Sequence, residues 1–196
     1  MPAVLSLQSS HAAPVDTLRG DQASAFAQAL GVTGFALLTA LGAQFEVRLF
    51  LWEVPITLQT MAVYGSGLFL GWRNGLLAQA LYLTLGLFLP VYSGGDGGAS
   101  YLLGAASAGY LWGFPLAAAV IGKLSERWNS LSGSALATLG GSVLMFSCGV
   151  AVLHYTAGHA TWLESIDKGW WRFVSIDLLK IGAVSLLYSG LRQVRF

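Results

Sequence analysis

Five stretches of this chain, residues 22–45, 54–72, 74–95, 97–122 and 128–163, contain no Asp, Glu, Lys or Arg. A sixth, 173–191, contains only Asp177 and Lys180. A helix needs about 20 apolar residues to cross the ~30 Å hydrocarbon core of a bilayer. Within lipid every backbone N–H and C=O must be satisfied by the protein itself, so helices or a closed barrel are the available solutions. Uncharged runs of this length point to helices. Composition agrees: 55% of the residues are apolar and 10% charged, against roughly a quarter charged in a soluble domain.

The expected fold is therefore an all-α integral membrane protein, a compact bundle of six transmembrane helices. The helices are predicted near 23–44, 57–71, 75–90, 101–122, 133–153 and 173–191. The 128–163 stretch holds one helix and a loop, since Gly158 and His159 bring polar sequence before Trp162. The second and third helices are short, with only Trp72, Arg73 and Asn74 at their turn. Short spans beside glycine-rich sequence suggest irregular backbone lining a cavity, which membranes tolerate only away from lipid. Residues 1–20 have no long apolar core followed by a small-residue cleavage site, so no cleaved signal is expected. They read as a disordered or loosely helical cytoplasmic leader, and 21–196 as a single membrane domain.

Orientation follows the basic residues of the short loops. Arg19, Arg73, Lys123, Arg127, Arg192 and Arg195 fall on one side; Arg48, Lys168 and Arg172 fall on the other, among five acidic residues. Six against three places both termini in the cytoplasm of a multi-pass cell-membrane protein. On this topology the last helix descends from Arg172 on the outer side. At 1.5 Å per residue Asp177 lies about 8 Å past it and Lys180 about 12 Å, both in the outer half of the membrane. That depth suits an outward-facing ligand pocket.

Charges inside a span are costly and usually serve a substrate or ion path. Three residues apart on a helix, Asp177 and Lys180 share a face and can neutralise each other; an ion pair that only locks helices together is the plainer alternative. The outer connections add candidates. Pro55 restricts the backbone before it to extended forms, and Thr57 and Gln59 offer neutral donors and acceptors as the second helix begins. Gly94, Gly95, Gly97 and Gly98 surround Asp96 in a loop free to adopt positive φ. Ser107, Tyr110 and Phe114 recur on one face of the fourth helix. A stripe of small residues in the first helix, Ala25, Ala29, Thr33, Ala36 and Ala40, permits close helix approach, within the bundle or to a partner.

Other chemistries find no support. The glycine run lacks the Lys-Ser/Thr of a phosphate-binding loop, and Gly122-Lys123 is followed by leucine, so the chain holds no ATP site. Ser66 and Ser142 have no Gly-x-Ser-Gly context for an intramembrane protease, and His11, His154 and His159 lack metal-ligand spacing. The lone Cys148 excludes an internal disulfide framework. Ten basic and nine acidic residues nearly cancel, leaving no field for nucleic acid. No enzyme, metal or cofactor is expected, and lipid is an obligatory partner. A stand-alone proton-coupled carrier working through Asp177 is the alternative to a substrate-capture subunit.

Taken together, Val54-Pro55-Ile56-Thr57-Leu58-Gln59-Thr60, Tyr82 with Leu85-Gly86, Pro90-Val91-Tyr92, the glycine loop, Gly109-Tyr110-Leu111-Trp112-Gly113-Phe114 and Asp177-Leu178-Leu179-Lys180 resemble the BioY family. The resemblance covers roughly residues 25–191. Members are biotin-specific substrate-binding (S) components of energy-coupling-factor (ECF) vitamin transporters. It implies a six-helix bundle whose vitamin pocket lies near the outer surface. Asp177, Lys180, Gln59, Thr57, Tyr82, Tyr92, Gly98, Ser107 and Tyr110 would bind biotin. Tyr82, Tyr92 and Tyr110 would wall its apolar part, and the glycine-loop N–H groups, Arg48 or Arg172 would meet its carboxylate. Ala36 and Ala40 would dock on a coupling transmembrane subunit, and two ATPase subunits would supply energy.

Overall fold

The computed structural model describes residue 19 and residues 23–50, 52–128 and 130–193. Apart from Arg19, the expected leader 1–20 lies outside the described residues. The elements are α1 (Ala25–Gln44), β1 (Glu46–Val47), β2 (Ile56–Thr57), α2 (Gln59–Phe88), α3 (Gly98–Gly104), α4 (Ala108–Ser125), α5 (Leu131–Thr156), α6 (Trp162–Gly169) and α7 (Val174–Gln193). Four helical segments are long and apolar enough to cross a membrane, or five if α3 and α4 form one bent span. This is a multi-pass helical membrane protein. Helix α2 packs on α1 and α4, α4 on α5, and α7 lies across α5 and α2.

The two short helices expected at 57–71 and 75–90 are the arms of α2, which folds back on itself. Gly71 sits at φ 75° and ψ −177°, a region open essentially to glycine alone. Beyond it, Gln79 donates to Ser66 Oγ at 3.0 Å, and the Tyr82 hydroxyl to Gln59 Oε1 at 3.1 Å. On a straight helix those pairs would stand about 20 and about 35 Å apart. The turn thus comes at Gly71, just before the polar Trp72-Arg73-Asn74. Its backbone is packed against α4, for a Cβ on Gly122 would fall 2.5 Å from the Gly71 carbonyl carbon.

Arg19 lies at this same end. Its guanidinium donates to the Tyr188 hydroxyl, to Ser125 Oγ at 2.5 Å and to the Gly122 carbonyl. Residues near the two termini therefore meet at one end of the bundle, beside the α2 turn and the end of α4. Arg19 itself is docked on the helices.

The other end carries the connections. β1 and β2 pair antiparallel, Glu46 opposite Thr57. Two elements at this end differ from the sequence expectation. The helix read over 101–122 is broken: α3 and α4 meet at 86° across Ala105, Ala106 and Ser107, after Gly104 has weakened the helix. A further short helix, α6, occupies sequence read as loop. Thr161 Oγ1 caps it by accepting from the Glu164 N–H at 3.2 Å, the first half of a capping box.

Replacing Gly71 with alanine puts a Cβ into a backbone region worth about 1–3 kcal/mol of strain. The thermal midpoint of the detergent-solubilised Gly71→Ala protein is expected to fall. An unchanged midpoint would show that α2 does not turn there.

Candidate functional site

The connections at the end remote from Arg19 close over a cavity of about 560 Å³, its open mouth included. Several separate parts of the chain build it. The β2 segment brings Pro55, Ile56 and Thr57; the start of α2 brings Gln59 and Thr60; α4 brings Tyr110 and Phe114; and α7 brings Asp177 and Lys180. Met145 and Phe146 of α5 and Phe173 complete an apolar wall. Phe146 is locked in place, edge-on to Tyr110 with centroids 5.8 Å apart and stacked on Trp170 at 5.8 Å. Tyr110 is fixed by donating to the Gly169 carbonyl at 2.6 Å.

The polar groups converge from α2 and α7. Asp177 is buried, and each carboxylate oxygen accepts one hydroxyl hydrogen bond. Tyr64 donates to Oδ1 at 2.5 Å and Ser142 to Oδ2 at 2.5 Å. Lys180 donates to the Thr57 carbonyl at 2.7 Å and to Thr60 Oγ1 at 3.0 Å. The mutual ion pair expected from their i, i+3 spacing does not form. Each charge is instead held by neutral groups on other elements, because Tyr64 and Ser142 are within reach of the carboxylate and the end of β2 is within reach of the ammonium.

This leaves a countable set of unused valences. An ammonium has three protons; Lys180 has committed two. A carboxylate has about four lone-pair sites; Asp177 has committed one on each oxygen. Gln59 accepts from Tyr82 through its oxygen, and its NH₂ donors have no partner among the described residues. The cavity therefore offers acceptors from Asp177 and donors from Lys180 and Gln59, inside an apolar cage.

Of the residues expected from sequence, Thr57, Gln59, Ser107, Tyr110, Asp177 and Lys180 line this cavity. Tyr82, Tyr92 and Gly98 do not. Tyr82 stands behind the wall, holding Gln59 and stacked on Phe114 at 6.3 Å. Tyr92 packs edge-on to Tyr82 and donates to the Leu83 carbonyl. Gly98, at φ 87°, begins α3. Ser107 lies on the cavity but turns its hydroxyl to Tyr101 at 3.0 Å. Arg48 and Arg172, the expected carboxylate ligands, are bound to Glu46 and Asp167 at 2.8 Å and stay off the lining. Ala36 and Ala40 are 0% and 9% exposed in the core packed around α2, so neither offers a docking face; of the small-residue stripe, Ala25, Ala29 and Thr33 are the exposed members.

Sequence reasoning missed Tyr64 and gave Ser142 no role beside Asp177. The available signal was a phenol and a hydroxyl inside uncharged spans, groups that need a partner once buried. Their partner, on α7, is more than thirty residues from either in the chain.

The BioY family model matches residues 17–195. The chain belongs to the BioY family. It is 35% identical over 161 residues to the biotin transporter BioY of Thermotoga maritima, spanning 82% of this chain and 92% of that one. It is 38% identical over 168 residues to a probable biotin transporter BioY of Lysinibacillus sphaericus, covering 82% and 84% of the two chains. Among solved structures it is similar to the S-component for biotin from an ECF-type ABC transporter, with a TM-score of 0.79 at 23% identity over 86% of this chain and 92% of that one. That likeness establishes the fold.

One tie at the cavity rim is pH-dependent. Glu46 of β1 accepts from Arg48 and, at 2.5 Å, from the hydroxyl of Ser93, a lining residue. The Arg48 and Ser93 hydrogen bonds hold its carboxyl below the usual range. A depressed carboxylate contributes stability above its unfolded pKa and loses it as pH falls through the folded value. Amide protection of loop 92–97, corrected for intrinsic exchange, is expected to be flat from about pH 7 to 5 and to weaken below about pH 4. The Glu46→Gln protein should lack that step. Equal acid sensitivity in both proteins would show that Glu46 does not secure the loop.

Proposed function

We propose that this chain is the biotin-binding membrane subunit of a vitamin uptake system, a transport protein rather than an enzyme. The observation that carries this reading is the match between unused valences and ligand. The ureido ring of biotin presents two N–H donors and one carbonyl acceptor on an otherwise apolar bicycle. Asp177 has one acceptor site left on each oxygen for the two N–H groups. The third proton of Lys180 and the amide of Gln59 are available to the carbonyl. Ile56, Tyr110, Phe114, Phe146 and Phe173 suit the bicycle and its aliphatic tail. Family membership and the names of the relatives point the same way.

The chain contains no phosphate-binding loop, so energy for uptake comes from outside it. The S-component likeness supports assembly with an ECF coupling transmembrane subunit and two ATPase subunits. The basic residues Arg19, Arg73, Lys123 and Arg192 belong to the end opposite the cavity, which supports both termini in the cytoplasm and a pocket loaded from outside.

Calorimetric titration of the purified, detergent-solubilised protein tests the reading, with thiamine and riboflavin as controls. Saturable one-to-one binding of biotin alone is expected; its absence in folded, ligand-free protein would overturn the assignment. Asp177→Asn removes an acceptor for one ureido N–H and the charge that strengthens both bonds. Hydrogen bonds to charged groups contribute about 1.5–3 kcal/mol, so Kd should rise roughly ten- to hundred-fold. An Asp177→Asn protein that binds biotin as tightly as the parent would remove Asp177 from the site.

A further inference from the structure

Asp177 and Lys180 lie three residues apart on one helix face, where side chains are neighbours. The attraction between opposite charges is far stronger in a low-dielectric interior than in water. Left to themselves, the two would be expected to pair. They form no ion pair, because each is satisfied by neutral partners: Asp177 by a hydroxyl on α2 and one on α5, Lys180 by the end of β2 and a hydroxyl one turn before Tyr64 on α2. Tyr64, on the first arm of α2, and Ser142, in the middle of α5, take one carboxylate oxygen each at 2.5 Å. Lys180 is drawn to the Thr57 carbonyl and Thr60 Oγ1.

We propose that Tyr64 and Ser142 are positioning residues that hold the Asp177 carboxylate apart from Lys180, so that the ligand closes the pair. The proposal rests on the biotin reading of the cavity. An internal ion pair would consume the ammonium proton and the carboxylate lone pairs that a ureido ring requires. Neutral hydroxyl donors stabilise the anion while taking only one lone pair from each oxygen. Both hydroxyls are buried, with Tyr64 0% and Ser142 2% exposed, and a buried donor left without its acceptor is costly. The arrangement is thereby self-enforcing: the hydroxyls need the carboxylate as much as it needs them. It also selects for ligands that present adjacent N–H donors beside an acceptor, since only these can bridge the held-apart charges.

Two readouts on the full chain test this. The first needs no ligand: the carboxylate stretching band of Asp177 in the infrared, obtained as the parent minus Asp177→Asn difference spectrum. It is expected to shift in both Tyr64→Phe and Ser142→Ala and to return toward the parent position in Ser142→Thr, which restores a hydroxyl. The second is the biotin Kd. Each hydroxyl deletion is expected to weaken binding about ten-fold, with Ser142→Thr recovering most of the loss. In an Asp177→Asn background the same deletions should cost little more, because residues acting through one group are non-additive. An unshifted band, parent-like affinity, or a loss that persists in full without Asp177 would overturn the positioning role. A shifted band in protein that binds no biotin would leave the held-apart carboxylate standing and refute the ligand assignment instead.

Discussion

A carboxylate in hydrocarbon survives only where the protein supplies what water would have supplied, and Asp177 draws its supply from two other helices. Tyr64 comes from α2 and Ser142 from α5, so a single anion on α7 joins three helices at one point. Of the three, Asp177 lines the cavity, and Tyr64 and Ser142 stand behind it. The costs of burying the phenol, the hydroxyl and the charge are offset together or not at all. A bundle packed from small and apolar side chains thus acquires a directional, charged contact between three helices beside the cavity.

The rest of the fold brings distant parts of the chain to that point. Because α2 doubles back at Gly71, its first arm delivers Gln59 and Thr60 to the cavity and Tyr64 to Asp177, while its second arm returns Tyr82 to support Gln59 from behind. A straight helix of the same length could not place both. At the far end Arg19 ties Ser125 of α4 to Tyr188 of α7, beside the glycine turn. The bundle is closed by polar contacts at one end and open to a ligand at the other.

Much of this was legible in the sequence, and the failures share a cause. Uncharged runs gave the helices, and Trp72-Arg73-Asn74 came within a residue or two of the α2 turn. Asp177 and Lys180 stood out because charge in a span is expensive. What one dimension could not show was what meets what. Spacing along α7 suggested an ion pair, whereas partners from α2, α5 and the end of β2 outcompete it. Tyr82 and Tyr92 read as ligand walls because aromatic rings suit either role, yet packing placed them one layer back. Ala36 and Ala40 likewise fit a partner or the chain's own α2, and the core claimed them. The Thr161–Glu164 capping pair marks the start of α6 in sequence, but eight residues among polar loop signals were too few to declare a helix.

In the proposed binding mode biotin bridges two charges the protein keeps apart. The structure of the biotin complex tests that most directly. It should show the ureido N–H groups within hydrogen-bond distance of the Asp177 carboxylate and the ureido oxygen within reach of Lys180 or Gln59, with the Tyr64 and Ser142 bonds to Asp177 retained. A ureido ring bound elsewhere in the cavity, or an Asp177–Lys180 ion pair beside a bound ligand, would contradict it.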